Sequence, residues 1–398
     1  MSNSFDVAVI GAGAAGMMCA AIAGQRGRSV VLIDHASKLA EKIRISGGGR
    51  CNFTNLDTGP QNFLSQNPHF CKSALSRYTP QDFLALMKRY RIAYHEKHKG
   101  QLFCDRSAED VIDMLRAECN AAGVAWRMPC KVGGIGKQRE LFRIDTDGGE
   151  ILAASVDIAS GGLSIPKIGA TDFAFRIAKQ FGLKVIEPRP ALVPLTFDEA
   201  GWQAFVTMAG IALPVEIETG SKAARGHFRE DLLFTHRGLS GPAVLQISSY
   251  WEPGTGLTIN LLPDIDLVQT LLADKGKVKK NLGNYLLQFL PARLAETWLA
   301  ANGFQADAKL ADMQDKQLRR LGESLNRWSI VPNGSEGYRK AEVTRGGVDT
   351  RELSQQSMIA TRVPGLHFVG EAVDVTGWLG GYNFQWAWAS GFAAGSVA

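Results

Sequence analysis

No stretch of this chain reaches the roughly 18 consecutive apolar residues of a membrane-spanning helix. Its start also lacks the basic and then apolar pattern of a secretory leader, reaching Asp6 and a strand-like stretch at once, so a cytoplasmic protein is expected. The six cysteines (Cys19, Cys51, Cys71, Cys104, Cys119 and Cys130) are scattered, with no CxxC pair and no metal-ligand spacing. That argues against structural disulfides, a zinc site and a local dithiol, and no metal is expected. An excess of charge of one sign is small as well, 44 Lys and Arg against 39 Asp and Glu. A net +5 is compatible with a polyanionic partner without demanding one. There is no internal repeat and no low-complexity tract, and 45% hydrophobic with 21% charged residues describes an ordinary soluble globular protein. What stands out is glycine, 43 of 398 residues, which leans towards sites lined by backbone.

The length exceeds the roughly 100–200 residues of one domain, so two or three units are expected. Residues 5–10 read as a short apolar strand, 11–16 as a turn, 17–25 as a helix of small apolar residues, and 29–33 as a second strand ending at Asp34. Together they make a βαβ unit of about 30 residues. A polar, glycine-rich loop (42–55) follows, then mostly helical sequence through Tyr90 and again over 107–122, with strands over 142–146 and 151–160. Pro188, Pro190 and Pro194 mark a crossing into another unit, because proline punctuates regular elements. Residues 195–262 contain short β-like runs such as 213–218 and 257–262, and about 265–325 have helical periodicity. Near Ala341 the glycine-rich texture of the first unit returns. The expected division is therefore 1–190 as the first part of a nucleotide-binding domain, 191–340 as an insert, and 341–398 as completion of the first domain.

In Gly11-x-Gly13-x-x-Gly16, with Ala14 and Ala15 inside the pattern, the first glycine permits the tight turn, the second lets backbone approach a pyrophosphate, and the third lets helix and strand pack closely. Asp34, followed by His35, closes the second strand where a carboxylate can accept both ribose hydroxyls. Strand, helix, second strand and acid occur in the order a dinucleotide site requires. Ser46-Gly47-Gly48-Gly49-Arg50-Cys51-Asn52 offers bare backbone plus a guanidinium, suited to an anionic or planar ligand, and Lys42 and Arg44 just before it add charge. On composition alone a flexible surface loop remains open. Ser160-Gly161-Gly162 ends an apolar strand, and Gly370-Glu371 ends another. Gly380-Gly381-Tyr382-Asn383 leads into a helix expected over 386–394, whose N-terminus could face a ligand edge that gains negative charge on reduction. Gly133-Gly134-Ile135-Gly136 has the wrong spacing for a second fingerprint, so any NAD(P)H is expected to dock transiently rather than in a domain of its own.

These pieces, in this order, resemble the bacterial YhiN/BaiN-like FAD flavoproteins, a branch of the two-dinucleotide-binding-domain flavoprotein superfamily. The similarity covers nearly the whole chain and is most specific over 42–55 (KIRISGGGRCNFTN), 160–169 (SGGLSIPKIG), 233–243 (LFTHRGLSGPA) and 370–385 (GEAVDVTGWLGGYNFQ). It implies an α/β fold, a Rossmann-type FAD-binding domain with an inserted β-barrel-like domain that carries a small helical subdomain. It also implies that Gly11, Gly13 and Gly16 hold the FAD pyrophosphate, Asp34 the adenosine ribose and the backbone near Val132 the adenine. Ser46 to Asn52 would pass near the flavin end, Gly370 and Glu371 take the ribityl–phosphate position usually held by Gly-Asp, and Gly381 to Asn383 border the isoalloxazine.

The family's activities are flavin-dependent reductions of conjugated C=C bonds, in ribosomal RNA as a dihydrouridine synthase or in a bile acid. A ribosomal RNA partner is the leading expectation, and Lys275, Lys277, Lys279 and Lys280 are candidate phosphate contacts, although lysine runs are often merely solvated. A small-molecule ene-reductase or oxidase, and a non-catalytic FAD-binding or RNA-folding protein, stand as alternatives. Cys51 and His236 are the candidate proton donors. Trp378, Tyr382 and Trp386 could stack on a base or on the flavin, or equally pack in the core.

Overall fold

The structure, a computed structural model, describes residues 3–220 and 225–398. The chain divides into two units, Met1–Arg189 with Val343–Ala398, and Pro190–Glu342.

The first unit is built on strand β1 (Ser4–Ile10), helix α1 (Ala14–Gln25) and strand β2 (Val30–Ile33). The ends of both strands are buried, as expected of a parallel sheet covered on both faces. Strand β3 (Asn52–Asn55) and strand β4 (Gln101–Cys104) lie outside this sheet. Helix α2 (Glu109–Ala121) leads to β5 (Ala125–Arg127), and β6 (Val132–Gln138), β7 (Leu141–Thr146) and β8 (Gly149–Ile158) follow. The main sheet runs β5-β2-β1-β8-β7-β6. β8 lies parallel to β1, and its second half pairs in parallel with β9 (Leu366–Phe368), so the C-terminal segment re-enters the N-terminal sheet. The glycines at 133, 134 and 136 lie within β6, a strand of an antiparallel hairpin rather than a nucleotide turn.

Helix α3 (Tyr382–Gly395) is buried nearly all round, as a helix with apolar residues on every face must be. It lies close against α1: a Cβ at Gly391 would collide with the Ala15 carbonyl oxygen, and one at Gly395 would stand 2.5 Å from the Cys19 oxygen. Arg26 donates to the Gly395 and Ala398 oxygens at 3.0 and 2.9 Å, tying the C-terminus to the end of α1. Trp388 stacks on Phe83 at 4.6 Å and donates to the Phe53 oxygen at 2.8 Å, a ring pair worth about 1 kcal/mol beyond its buried area.

The region expected to be a loop and then helical contains more regular structure than its sequence suggests. Glu41–Ile45 is a short helix, and a three-stranded sheet runs β3, β4 and Tyr94–Glu96. Strands this short carry too little pattern to be read from sequence alone and are specified by their partners.

The second unit holds an antiparallel sheet whose long strands are Ala212–Thr219 and Gly226–Thr235, with Leu257–Asn260 pairing the first of these. Helices Leu267–Asp274, Ala292–Ala301 and Asp315–Asn326 occupy the stretch read as helical, and Trp202, Trp298, Trp328 and Phe205 form an aromatic core.

Candidate functional site

The three glycines of the turn have different reasons to be glycine. Gly11 has φ +113°, and a Cβ there would stand 2.5 Å from the Ala159 oxygen; one at Gly16 would strike the Gly11 carbonyl. Both are demanded by packing within the protein. Gly13 has ordinary extended backbone (φ −86°, ψ −165°), and a Cβ there would meet nothing within 4 Å. Its missing side chain leaves space in front of α1, whose first turn has neither a side-chain cap nor an acidic residue. Uncapped N–H groups at the positive end of a helix suit an anionic ligand such as a diphosphate.

Asp34 is held against this turn. Its Oδ2 accepts from Ala12 N at 2.7 Å and its Oδ1 from Ala36 N at 2.8 Å, so each oxygen keeps a lone pair for a ribose hydroxyl. Cys130 N donates to the Asp34 carbonyl at 2.7 Å, which places the start of β6 and half-buried Val132 near by. A Cβ at Gly169 would come within 2.9 Å of His35 Nε2, so the 160–169 segment runs from the glycine turn to His35. At its start Ser160 Oγ is buried with no partner among the described residues, beside Gly11, and such an orphaned polar atom fits a ligand-lined wall. Gly161 opens onto empty space at φ +75°, whereas a Cβ at Gly162 would press on Thr344 Oγ1 at 2.5 Å.

Glu371 ties three motifs together. Its carboxylate pairs with Lys42 Nζ and accepts from Ser164 Oγ at 2.9 Å and from Thr344 N at 2.8 Å; Lys42 also donates to Ser164 Oγ at 2.6 Å. Thr344 Oγ1 in turn accepts from Leu163 N at 2.8 Å and Ser164 N at 3.2 Å. Nothing in the sequence around Thr344 signals this role. Arg44 does not add free charge to the glycine loop, contrary to expectation: it pairs with Glu109 and with Glu41 (2.8 Å), one helical turn away. Gly370, at φ +62°, abuts Ala15 on the first turn of α1, where a Cβ would lie 2.9 Å from the Ala15 methyl; its N–H donates to Ser390 Oγ at 2.9 Å and its oxygen accepts from Trp386 Nε1 at 3.0 Å.

At the other end of the site, Ser46 caps the preceding short helix through Ile43 O (2.7 Å), and Gly47, Gly48 and Gly49 follow in left-handed backbone (φ +57°, +66° and +85°). Gly47 packs on Phe103, while Gly48 and Gly49 open onto space. Arg50 is exposed and has no ion-pair partner among the described residues. The Asn52 carboxamide, oriented to satisfy both its ends, accepts from Gly381 N and donates to Leu102 O, each at 3.2 Å. A Cβ at Gly381 would strike the Thr54 oxygen, and one at Gly380 would crowd Gln101 at 2.8 Å. Asn383 accepts from Gly377 N at 2.8 Å and donates to Gly377 O at 2.9 Å, closing the turn before α3. Tyr382 and Trp386 are buried, so they are core side chains rather than a stacking face.

The two candidate proton donors fare differently. Cys51 is fully buried, and burial pushes its thiol far above the ordinary range, with neighbouring Cys104 adding to the shift. A shielded, weakly acidic thiol is a poor proton donor, so the expectation for Cys51 does not fit its position. His236 is exposed in the two-residue turn between Gly226–Thr235 and Gly238–Ser240, in the second unit. All six cysteines are free and buried. A thiol reagent should therefore label none of them quickly in the native protein and all six after denaturation. Cys51→Ala should keep the reduction rate within about tenfold, whereas loss of a general acid costs about 10²–10⁴. In the lysine run, Lys275 is engaged by Asp315 at 2.8 Å, leaving Lys277, Lys279 and Lys280 exposed.

The description "HI0933-like protein Rossmann domain" matches residues 5–397. The chain is 51% identical over 391 residues to a protein of Escherichia coli (strain K12) named ribosomal RNA dihydrouridine synthase, covering 98% of this chain and 96% of that one. It is 45% identical to the protein of that name from Haemophilus influenzae, covering 99% and 98%. It is 26% identical to a 3-dehydro-bile acid delta(4,6)-reductase of Clostridium scindens, covering 98% of both. With the glycine turn, the open space at Gly13 and a match over almost its full length, the chain belongs to the HI0933-like Rossmann-domain family of FAD-dependent oxidoreductases.

Proposed function

We propose that this flavoprotein reduces the C5=C6 bond of a uridine in ribosomal RNA, giving dihydrouridine, with NAD(P)H as the source of the hydride and solvent as the ultimate source of the second hydrogen. The observation that carries the reading is the near full-length identity, 51% and 45%, to two relatives bearing that name. Gly13 and the N-terminus of α1 would hold the pyrophosphate, Asp34 the adenosine ribose, and the backbone near Val132 the adenine. The open backbone of Gly48 and Gly49 and the turn from Gly381 to Asn383 would border the flavin ring. The Lys42–Glu371 pair, fixed by Ser164 and Thr344, would hold the segments on either side of the ribityl chain at a constant spacing. Bound FAD supplies a hydride acceptor and donor, and the protein's part is to align it with the electron-poor carbon.

The test is mass analysis of large-subunit ribosomal RNA from a strain lacking the gene. A dihydrouridine present in the parent should be replaced by a uridine two hydrogens lighter, and an intact gene should restore it. RNA identical in the two strains, together with turnover of a small conjugated ketone by the purified protein, would favour the ene-reductase reading that the bile-acid relative raises.

A further inference from the structure

From the end of helix Pro80–Arg89 to β4 runs the most basic stretch of the first unit: residues 88–99 hold five lysines and arginines and two histidines against one glutamate. Part of this charge is used locally, since Arg89 pairs with Glu118 at 2.7 Å and His95 with Asp105 at 2.7 Å. Lys88, Arg91 and Lys97 have no carboxylate partner among the described residues, and Arg91 and Lys97 are exposed. Arg91 (φ +55°) also occupies left-handed backbone just past the helix, where glycine is the residue favoured by about 1 kcal/mol.

Aromatic rings are interleaved with these cations. Tyr94–Glu96 is an edge strand paired with β4, and all three of its residues are exposed. Tyr94 remains 40% exposed while its ring leans edge-on against buried Phe53 at 5.8 Å. Lys88 and Arg91 line an open groove together with Tyr94. On the opposite face of the strand, reached by the alternation of side chains, His95 stacks on Phe103 at 6.2 Å and Lys97 Nζ lies 5.7 Å from the same ring. This edge is tied to the flavin-end motif. β3 is the third strand of its sheet, and Phe103 packs against Gly47.

We propose that this edge is a docking surface for single-stranded RNA flanking the target uridine, with Lys88 and Arg91 meeting phosphates beside Tyr94, which offers a stacking face for one base, and Lys97 meeting a phosphate where the RNA crosses the strand edge to its other face. The inference rests on the RNA-directed reading above. Cations that track a backbone beside an exposed ring are the features that sequence-tolerant recognition of single strands requires.

The experiment titrates the FAD-loaded protein with a uridine-rich single-stranded RNA of about 12 nucleotides over a range of salt. The combined variant Lys88→Gln, Arg91→Gln, Lys97→Gln should make the slope of log affinity against log salt shallower by up to about 2, at roughly 0.7 for each phosphate no longer neutralised. Tyr94→Ala should lower affinity on the order of tenfold with the slope unchanged. FAD content and flavin absorbance should match the parent in both. If the parent binds with a clear salt slope that the triple variant keeps, RNA is held elsewhere, for instance at Lys277, Lys279 and Lys280, and this inference fails while the RNA-directed reading stands. If the parent shows no salt-dependent RNA binding at all, the RNA-directed reading fails and takes this surface with it.

Discussion

Gly13→Val should yield a folded, colourless protein. Valine tolerates the extended backbone of this position, and its Cβ meets no protein atom within 4 Å, so the fold should lose only the roughly 1 kcal/mol by which valine is a poorer helix N-cap than glycine. The same side chain would fill the space in front of α1 that a pyrophosphate needs, and affinity for FAD should fall by at least about 100-fold, or about 3 kcal/mol. The check is the ratio of flavin to protein absorbance after gel filtration, beside a thermal melt in excess FAD and without it. A variant that stays yellow at full occupancy would remove Gly13 from the cofactor site.

Gly391→Val should lose flavin more readily for the opposite reason, because the fold itself is weakened. A Cβ at Gly391 would collide with the carbonyl oxygen of Ala15 and press on Met18, so α3 must move off α1. Overpacking at a backbone atom commonly costs 1–3 kcal/mol and here should reach about 3 kcal/mol, since a carbonyl in a helix cannot rotate away. The shift would also disturb Ala15, which belongs to the uncapped first turn of α1 and touches Gly370. A lowered melting temperature that excess FAD only partly restores is the expected signature. An unchanged melt would show that the two helices tolerate wider spacing. Side by side, the two variants separate what the turn does for the ligand from what the C-terminal helix does for the turn.

Much of the backbone around the glycine turn was legible in the residue string, because it is local. The turn glycines, the flanking strands and Asp34 lie within about 30 residues, and periodicity, turn chemistry and spacing act over that range. The same locality made the C-terminal strand and helix readable, although α3 begins at Tyr382, four residues before the expected start, because Gly381 takes left-handed backbone and serves as its N-cap.

What the chain could not disclose by itself is which atoms meet across long separations. Lys42 and Arg44 are two residues apart and alike in charge. Only the fold commits the first to Glu371 and the second to Glu109 and Glu41. Cys51 looked available in a glycine-rich loop and is in fact shut in the core beside Cys104, where loss of solvent removes its use as an acid. The basic edge at Tyr94–Glu96 was hidden because an exposed strand three residues long has no apolar alternation to reveal it, and pairing with β4 alone makes it a strand. Local pattern therefore determined the class of fold and the kind of ligand, while tertiary contact decided which charges remain free and which side chains can reach a substrate. Burial and ion pairing depend on neighbours that sequence distance does not encode.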